Sequence, residues 1–402
     1  MLNRNTHLIN VVKVTAAFVS CAYLMCPSTL QLENVASVPA YTDRSEETGN
    51  EQPDIDESDY RIVVSIGDSY SAGEGVDPYY GQDADEDDRN NDPDFIAHRS
   101  QLSWPGQLVV GHNGVPNSEL RGTYWFFAAS SGAEIEDVTG FYDGDGEFGG
   151  QYRKYFAHGS MHLFRLAPQL DVFDQLPEDH PADYVTLTLG GNDVGFRKML
   201  TALALTTSYL DFGITDRIYD DIIDDFYSTD EEGNEDGIRA QLREAYYLIA
   251  EAAGPQATII VVGYPQLIEP GESLIFDRRE STMINEAALW LNDEIEALVN
   301  ECRDDGLNIC FVSVEEAFEG HGAYSDDPYL IPVSFAEDED LKPGISAGTM
   351  HPNADGINAY RHCVQAKIDE LEYNKAVAQL NAGIDNVSNI AANYYLTLIS
   401  VF

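Results

Sequence analysis

Five short apolar runs constrain this chain more than any other feature. They are Arg61–Gly67, Tyr124–Ala129, Tyr184–Leu189, Ala257–Val262 and Ile309–Val312. Each is rich in β-branched or aromatic residues and too short for a buried helix, so each reads as a strand. Apart from Thr186 and Thr188 in the third, the residues within each run are mostly apolar and do not alternate with polar ones, which is the pattern of strands buried on both faces. Between the runs lie helical stretches. Ile238–Ala253 puts Leu242, Ala245, Tyr246 and Ile249 on one face, and Ile284–Val299 does the same with Ala288, Leu291, Ile295 and Leu298. A third helix is expected from Ala354 to Leu371, after His351-Pro352. Strands alternating with amphipathic helices predict an α/β domain over residues 60–373, a mostly parallel five-stranded sheet with helices on both faces.

The remainder of the 402 residues flanks or interrupts this domain. Arg4 and Lys13 precede a charge-free, mostly apolar run from Val14 to Cys26, too short for ordinary membrane spanning but suited to a signal peptide, expected over residues 1–40. Phe18-Val-Ser-Cys21 is a near match to a bacterial lipoprotein box and leaves a lipid anchor at Cys21 as an alternative. Tyr41–Asp59 is polar and acid-rich, the composition of a linker. The tail over 374–402 carries no readable pattern, and Asn393–Val401 is open as a strand or a partner-binding end. Cys302, Cys310 and Cys363 remain outside the leader, and a Cys302–Cys310 bridge and simple burial are equally open.

Charge excludes some functions. There are 22 Lys and Arg against 70 Asp and Glu, a formal net charge of −48. Without basic residues to displace counterions from phosphates, nucleic acid is a poor partner, and anionic membranes are disfavoured. Much of the acid sits in two insertions, Asp77–Asp94 and Asp216–Asp236. The first contains Asp83-x-Asp85-x-Asp87 but lacks the glycine and glutamate of a calcium-binding EF-hand loop, so it reads as a solvated loop. The histidines are dispersed and the cysteines lack ligand spacing, so no metal is expected.

The chemistry gathers at strand ends. The first run stops at Gly67-Asp68-Ser69, where a serine is exposed near oriented backbone N–H groups, but it is a weak nucleophile until a base takes its proton. Gly132 follows the second run and Asn192 the third. The backbone N–H groups of Ser69 and Gly132 and the side-chain amide of Asn192 form a candidate oxyanion hole. His351, before a helix and followed by Pro352, is the candidate base. A literal Gly-x-Ser-x-Gly at Gly344–Gly348 has an acidic lead-in and Pro343 before it, with no apolar strand feeding the turn, and is read as coincidence.

These blocks together resemble the SGNH, or GDSL-type, hydrolases over about Arg61–Lys367. Gly67-Asp68-Ser69, Gly132, Gly190-Gly-Asn-Asp193 and His351-Pro352 carry the likeness. The longer Gly67–Gly75 block, His98-Arg99-Ser100 with Trp104-Pro105, Gly263-Tyr264-Pro265 and Phe318-Glu-Gly-His321 resemble its secreted bacterial branch of esterases and phospholipases. The resemblance implies a flavodoxin-like three-layer sandwich, ester hydrolysis through an acyl-enzyme, and no cofactor. The implied substrates are acyl esters of lipids, small alcohols or acetylated glycans. A carbohydrate O-acetyl esterase, or a non-catalytic lipid- or glycan-binding module on the same fold, is the alternative. Two departures stand out. Members commonly carry an Asp three residues before the histidine, where this chain has Gly348, so the Gly348 carbonyl is expected to hold His351 Nδ1, with Asp355 as runner-up. Cysteines usual in the branch are replaced by Ala97 and Tyr324, so the usual disulfide staples are expected to be absent. His98 and His321 are read as histidines satisfied by loop hydrogen bonds.

Overall fold

The computed structural model describes residues 37–38 and 59–399, apart from 141–150, 158–159, 178–179, 197–198, 201–213, 231, 272–274, 334 and 338–342. The leader's charged and apolar core, Cys21 and all of the linker but Asp59 lie outside the described residues.

The five expected strands form: β1 Val63–Gly67, β2 Trp125–Phe127, β3 Tyr184–Thr188, β4 Thr258–Val262 and β5 Ile309–Val312. They make one all-parallel sheet in the order β2-β1-β3-β4-β5, the flavodoxin-like order that reverses direction at β1 and β3. Every residue of β1 to β4 is buried, as the run composition requires. Only β5, at an edge, has partly exposed positions.

Four longer helices accompany the sheet: α1 Ile214–Phe226, α2 Ile238–Ala253, α3 Arg278–Asp304 and α4 Ala354–Ile399. The apolar stripes read from the sequence are the faces that bury: Leu242, Ala245, Tyr246 and Ile249 on α2, and Ala288, Leu291, Ile295 and Leu298 on α3. Helix α3 starts earlier than its stripe because Asp277 and Glu280 form a reciprocal capping box. Helix α2 packs against both α3 and Ile135–Thr139, while α4 packs on Trp104–Gln107, stacking Tyr360 on Trp104.

Three sequence expectations change. Helix α4 runs unbroken past Tyr373 to Ile399, so the stretch from Asn393 is helical there, not a strand. An antiparallel hairpin, Tyr152–Ala157 with Ser160–Leu166, was not expected, because Arg153, Lys154 and Arg165 interrupt its apolar signal. A short ribbon, Phe335–Glu337 with Pro343–Ile345, does lead into the Gly344–Gly348 turn. It is antiparallel and no helix follows until Ala354, so the elbow geometry is absent there. Cys302, Cys310 and Cys363 are free thiols, Cys302 fully buried. Among the described residues no helix is long and apolar enough to cross a membrane.

Candidate active site

The carboxyl end of β1 sets the turn that carries Ser69, the candidate nucleophile. Gly67 has φ +110°, and a Cβ there would lie 2.3 Å from the Thr188 carbonyl oxygen, so only glycine lets β1 and β3 approach this closely. Asp68 then caps the one-turn helix Ser69–Ala72 by accepting from the Tyr70 N–H at 3.0 Å. The same carboxylate receives the Thr188 hydroxyl at 2.6 Å and the Tyr264 hydroxyl at 2.5 Å. Burial raises the Asp68 pKa to about 6, against the pull of those hydrogen bonds. Tyr264 also accepts from the Gly191 N–H at 3.0 Å, joining the nucleophile turn to the Gly190–Asn192 turn.

Ser69 and His351, 282 positions apart, meet: Ser69 Oγ lies 2.7 Å from His351 Nε2. The other ring nitrogen, Nδ1, is 3.0 Å from the carbonyl oxygen of Thr349. A carbonyl only accepts, so Nδ1 carries the proton and Nε2 is left to accept from the Ser69 hydroxyl, the tautomer a general base needs. The expected Gly348 carbonyl is one residue off. It accepts from the His351 backbone N–H at 3.1 Å in a tight turn. That turn places Met350 at φ +60° and leaves the next carbonyl, Thr349, to face the ring. Asp355 is exposed, in the first turn of α4. The His351 loop is pinned from both sides. Met350 N–H donates to the Ile331 carbonyl, Ile331 N–H donates to the His351 carbonyl, and the buried Tyr70 hydroxyl donates to the Met350 carbonyl at 2.7 Å.

The expected oxyanion donors sit on two loops that are tied together. Asn192 Nδ2 donates one hydrogen to the Ala133 carbonyl at 2.9 Å, which leaves its second amide hydrogen free. Asp193 Oδ1 accepts from the Ile135 N–H at 2.9 Å. The residues just after Gly132 are thus clipped to the Asn192 turn at two points. Among the described residues, nothing accepts from the backbone N–H of Ser69 or Gly132. Asp193 is partly exposed as a residue, but its Oδ2 is sealed from solvent without a partner. Burial, aided by the charges of Glu134 and Asp137 and opposed by the Ile135 N–H, pushes its pKa up to about 8. A largely neutral Asp193 beside Asn192 spares the site an anion where negative charge would develop.

Further groups, unassigned in the sequence, build the surroundings. Arg99 is fully buried; it donates to the Ala128 carbonyl at 2.9 Å, to the Ala129 carbonyl at 2.8 Å and to Asp94 at 2.8 Å. Asp94 is shared with Arg121 at 2.8 Å. The Ser131 N–H donates to the Ala97 carbonyl at 2.9 Å. These bonds hold the Gly132 loop against the Asp94–Arg99 segment. Gln169 takes both backbone groups of Gly67, at 2.6 and 2.9 Å. His321 lies where loop satisfaction predicts, 2.7 Å from the Asp327 carbonyl and stacked on Tyr329 at 3.8 Å. His98 differs: its partner is the buried carboxylate of Glu74, at 2.8 Å. The blocks containing Glu74, Arg99 and Tyr264 were visible in the sequence, but their pairings span tens to hundreds of positions and leave no local signal.

Two lipases of Streptomyces are similar to this chain. The lipase of Streptomyces rimosus is 27% identical over 296 residues, 72% of this chain and 82% of that protein. Lipase 1 of Streptomyces coelicolor is 26% identical over 294 residues, 73% of this chain and 81% of that protein. Among solved structures, the extracellular lipase of Streptomyces rimosus aligns over 75% of this chain and 96% of its own, with 24% identity and a TM-score of 0.48. No protein-family model matches the chain. With the strand order, the four sequence blocks at the strand ends and the two Streptomyces lipase sequences in agreement, the chain is similar to the SGNH, or GDSL-type, hydrolases, and the likeness supports a carboxylic ester hydrolase of that type.

Proposed function

We propose that the protein hydrolyses acyl esters through an acyl-enzyme on Ser69, with His351 as general base. The observation that carries this is the 2.7 Å contact of Ser69 Oγ with His351 Nε2, with Nδ1 committed to the Thr349 carbonyl. In the first half-reaction the Ser69 proton passes to Nε2 as Oγ attacks the acyl carbonyl. The N–H groups of Ser69 and Gly132 and the Asn192 amide receive the oxyanion, and the imidazolium then protonates the departing alcohol. In the second, water attacks the acyl-serine with the same base. The net charge of −48 favours neutral esters over anionic headgroups as substrates. Export follows from the N-terminal leader pattern, and the Streptomyces rimosus relative is described as extracellular.

The test is hydrolysis of p-nitrophenyl acetate, butyrate and octanoate by the purified protein beside Ser69→Ala. Turnover should vanish in the variant, and the chain-length profile separates a short-chain esterase or deacetylase from a lipase. Retained turnover in Ser69→Ala would sink the mechanism. A folded wild-type protein inactive on every ester would favour a binding module.

A further inference from the structure

A pair made only of serine and histidine has a physical gap. When His351 takes the Ser69 proton its ring becomes a cation, and the Thr349 carbonyl offers that cation a dipole, not a charge. Glu74 is placed to fill the gap. It follows the nucleophile helix, and its backbone N–H donates to the Ser69 carbonyl at 3.0 Å. The next residue, Gly75, packs on the base: a Cβ built there would lie 3.3 Å from His351 Cβ. The Glu74 side chain is only 2% exposed, too buried for a carboxylate without a role or partners.

Its partners hold it ionised. His98 Nδ1 donates to Oε2 at 2.8 Å and the Tyr79 hydroxyl donates to Oε1 at 3.0 Å. His98 reaches this position at φ +55°, a conformation side chains rarely adopt, and its ring stacks on Tyr79. Burial alone would raise the Glu74 pKa, but attraction to His98 and their hydrogen bond, attraction to His351 and a bond from Ser131 hold it well below the ordinary carboxylate range. The other nearby carboxylate, Asp68, spends its oxygens on Thr188, Tyr264 and the Tyr70 N–H. Facing His351 are Ser69, Thr349 and the Tyr70 ring at 5.1 Å; Glu74 faces His98 and Tyr79, with Ser131 and the charge of His351 acting on it electrostatically.

We propose that Glu74, clamped by His98 and Tyr79, is the anionic positioning residue of the Ser69–His351 pair, stabilising the imidazolium that forms as Ser69 Oγ loses its proton. The proton moves from Oγ to Nε2 and later to the leaving alkoxide; Nδ1 keeps its own proton on Thr349 throughout, and Glu74 stays ionised. It supplies from the nucleophile's own loop the charge that an Asp before the histidine would otherwise bring. This rests on the Ser–His reading above.

The experiment compares Glu74→Gln and Glu74→Asp with wild type on p-nitrophenyl butyrate across pH, with Ser69→Ala as control and circular dichroism to check folding. Loss of the charge should lower kcat by about 10- to 100-fold with KM little changed. It should also move the acid limb of kcat/KM to lower pH by about one unit, because a cation without its counter-charge gives up its proton more readily. Glu74→Asp keeps the charge, so its acid limb should stay near that of wild type even if turnover falls. A folded Glu74→Gln with wild-type kcat and an unmoved acid limb overturns the proposal, as does an Asp variant whose limb shifts by a full unit; the latter arm decides the matter if the Gln variant does not fold. Turnover surviving in Ser69→Ala instead defeats the Ser–His reading itself.

Discussion

At the residue scale, Asn192 combines a structural bond with its proposed place in the oxyanion hole. One amide hydrogen is spent on the Ala133 carbonyl, which orients the group; the second is available to an oxyanion. Asn192→Ala should therefore lower kcat by about 10²–10³-fold, the usual cost of one such donor, with KM changing far less. Steady-state kinetics on p-nitrophenyl butyrate checks this, and a loss under threefold would remove Asn192 from the oxyanion hole. The sequence singled out Asn192 as a candidate donor because it stands at a strand end together with Ser69 and Gly132 at two others. It missed the carbonyl that holds His351 by one residue. Which of two successive carbonyls faces a ring depends on the Met350 backbone at φ +60°, and nothing in Gly-Thr-Met-His declares that angle.

At the element scale, the loop after β2 is held by a buried charge cluster. Arg99 sends its three nitrogens to the Ala128 and Ala129 carbonyls and to Asp94, all without solvent. Removing one member of a buried ionic cluster leaves the rest uncompensated, so Arg99→Met should cost about 3–5 kcal/mol in chemical denaturation. Arg99→Lys should recover little of it, since an ammonium cannot span the three acceptors in one plane. A Lys variant as stable as wild type would show that charge alone matters there. The five strands and the buried faces of α2 and α3 were legible because burial writes itself locally, as continuous apolar runs and as stripes at helical spacing. The hairpin at 152–166 was not, because its charged residues mask the alternation. Helix α4 was legible only to Leu371; beyond it, exposed Tyr373 and Leu380 break the contrast between faces from which a helix is read.

At the scale of the whole molecule, activity and stability pull against each other as pH changes. With His351 as the proposed base, which must be neutral to act, turnover should rise as pH rises. Stability should go the other way above mild acidity. Asp68 and Asp193 have folded pKa values raised from 3.8 to about 6 and about 8. Each therefore contributes stability that is complete below about pH 4 and is lost as pH rises, through about 6 for Asp68 and about 8 for Asp193. Glu74 has the opposite sign: its pKa is lowered, so its contribution is present above the ordinary carboxylate range and disappears on acidification. The three together put the most stable condition near pH 4, with stability already falling between about pH 4.5 and 6. Moving from pH 5.5 to 8.5 should then cost on the order of 3 kcal/mol, most of it from Asp193. General repulsion adds to the loss, because a net charge of −48 works against the compact state. The two causes separate by salt. Raising NaCl from about 10 mM to 0.5 M shortens the screening length from about 30 Å to under 5 Å. It should raise Tm at both pH values, but leave the part due to the buried Asp68 and Asp193. Thermal melts at the four combinations decide the point. If high salt abolishes the fall in Tm between pH 5.5 and 8.5, surface repulsion is the whole cause, and the buried carboxyl groups beside the nucleophile and the Asn192 turn do not set the stability of the fold.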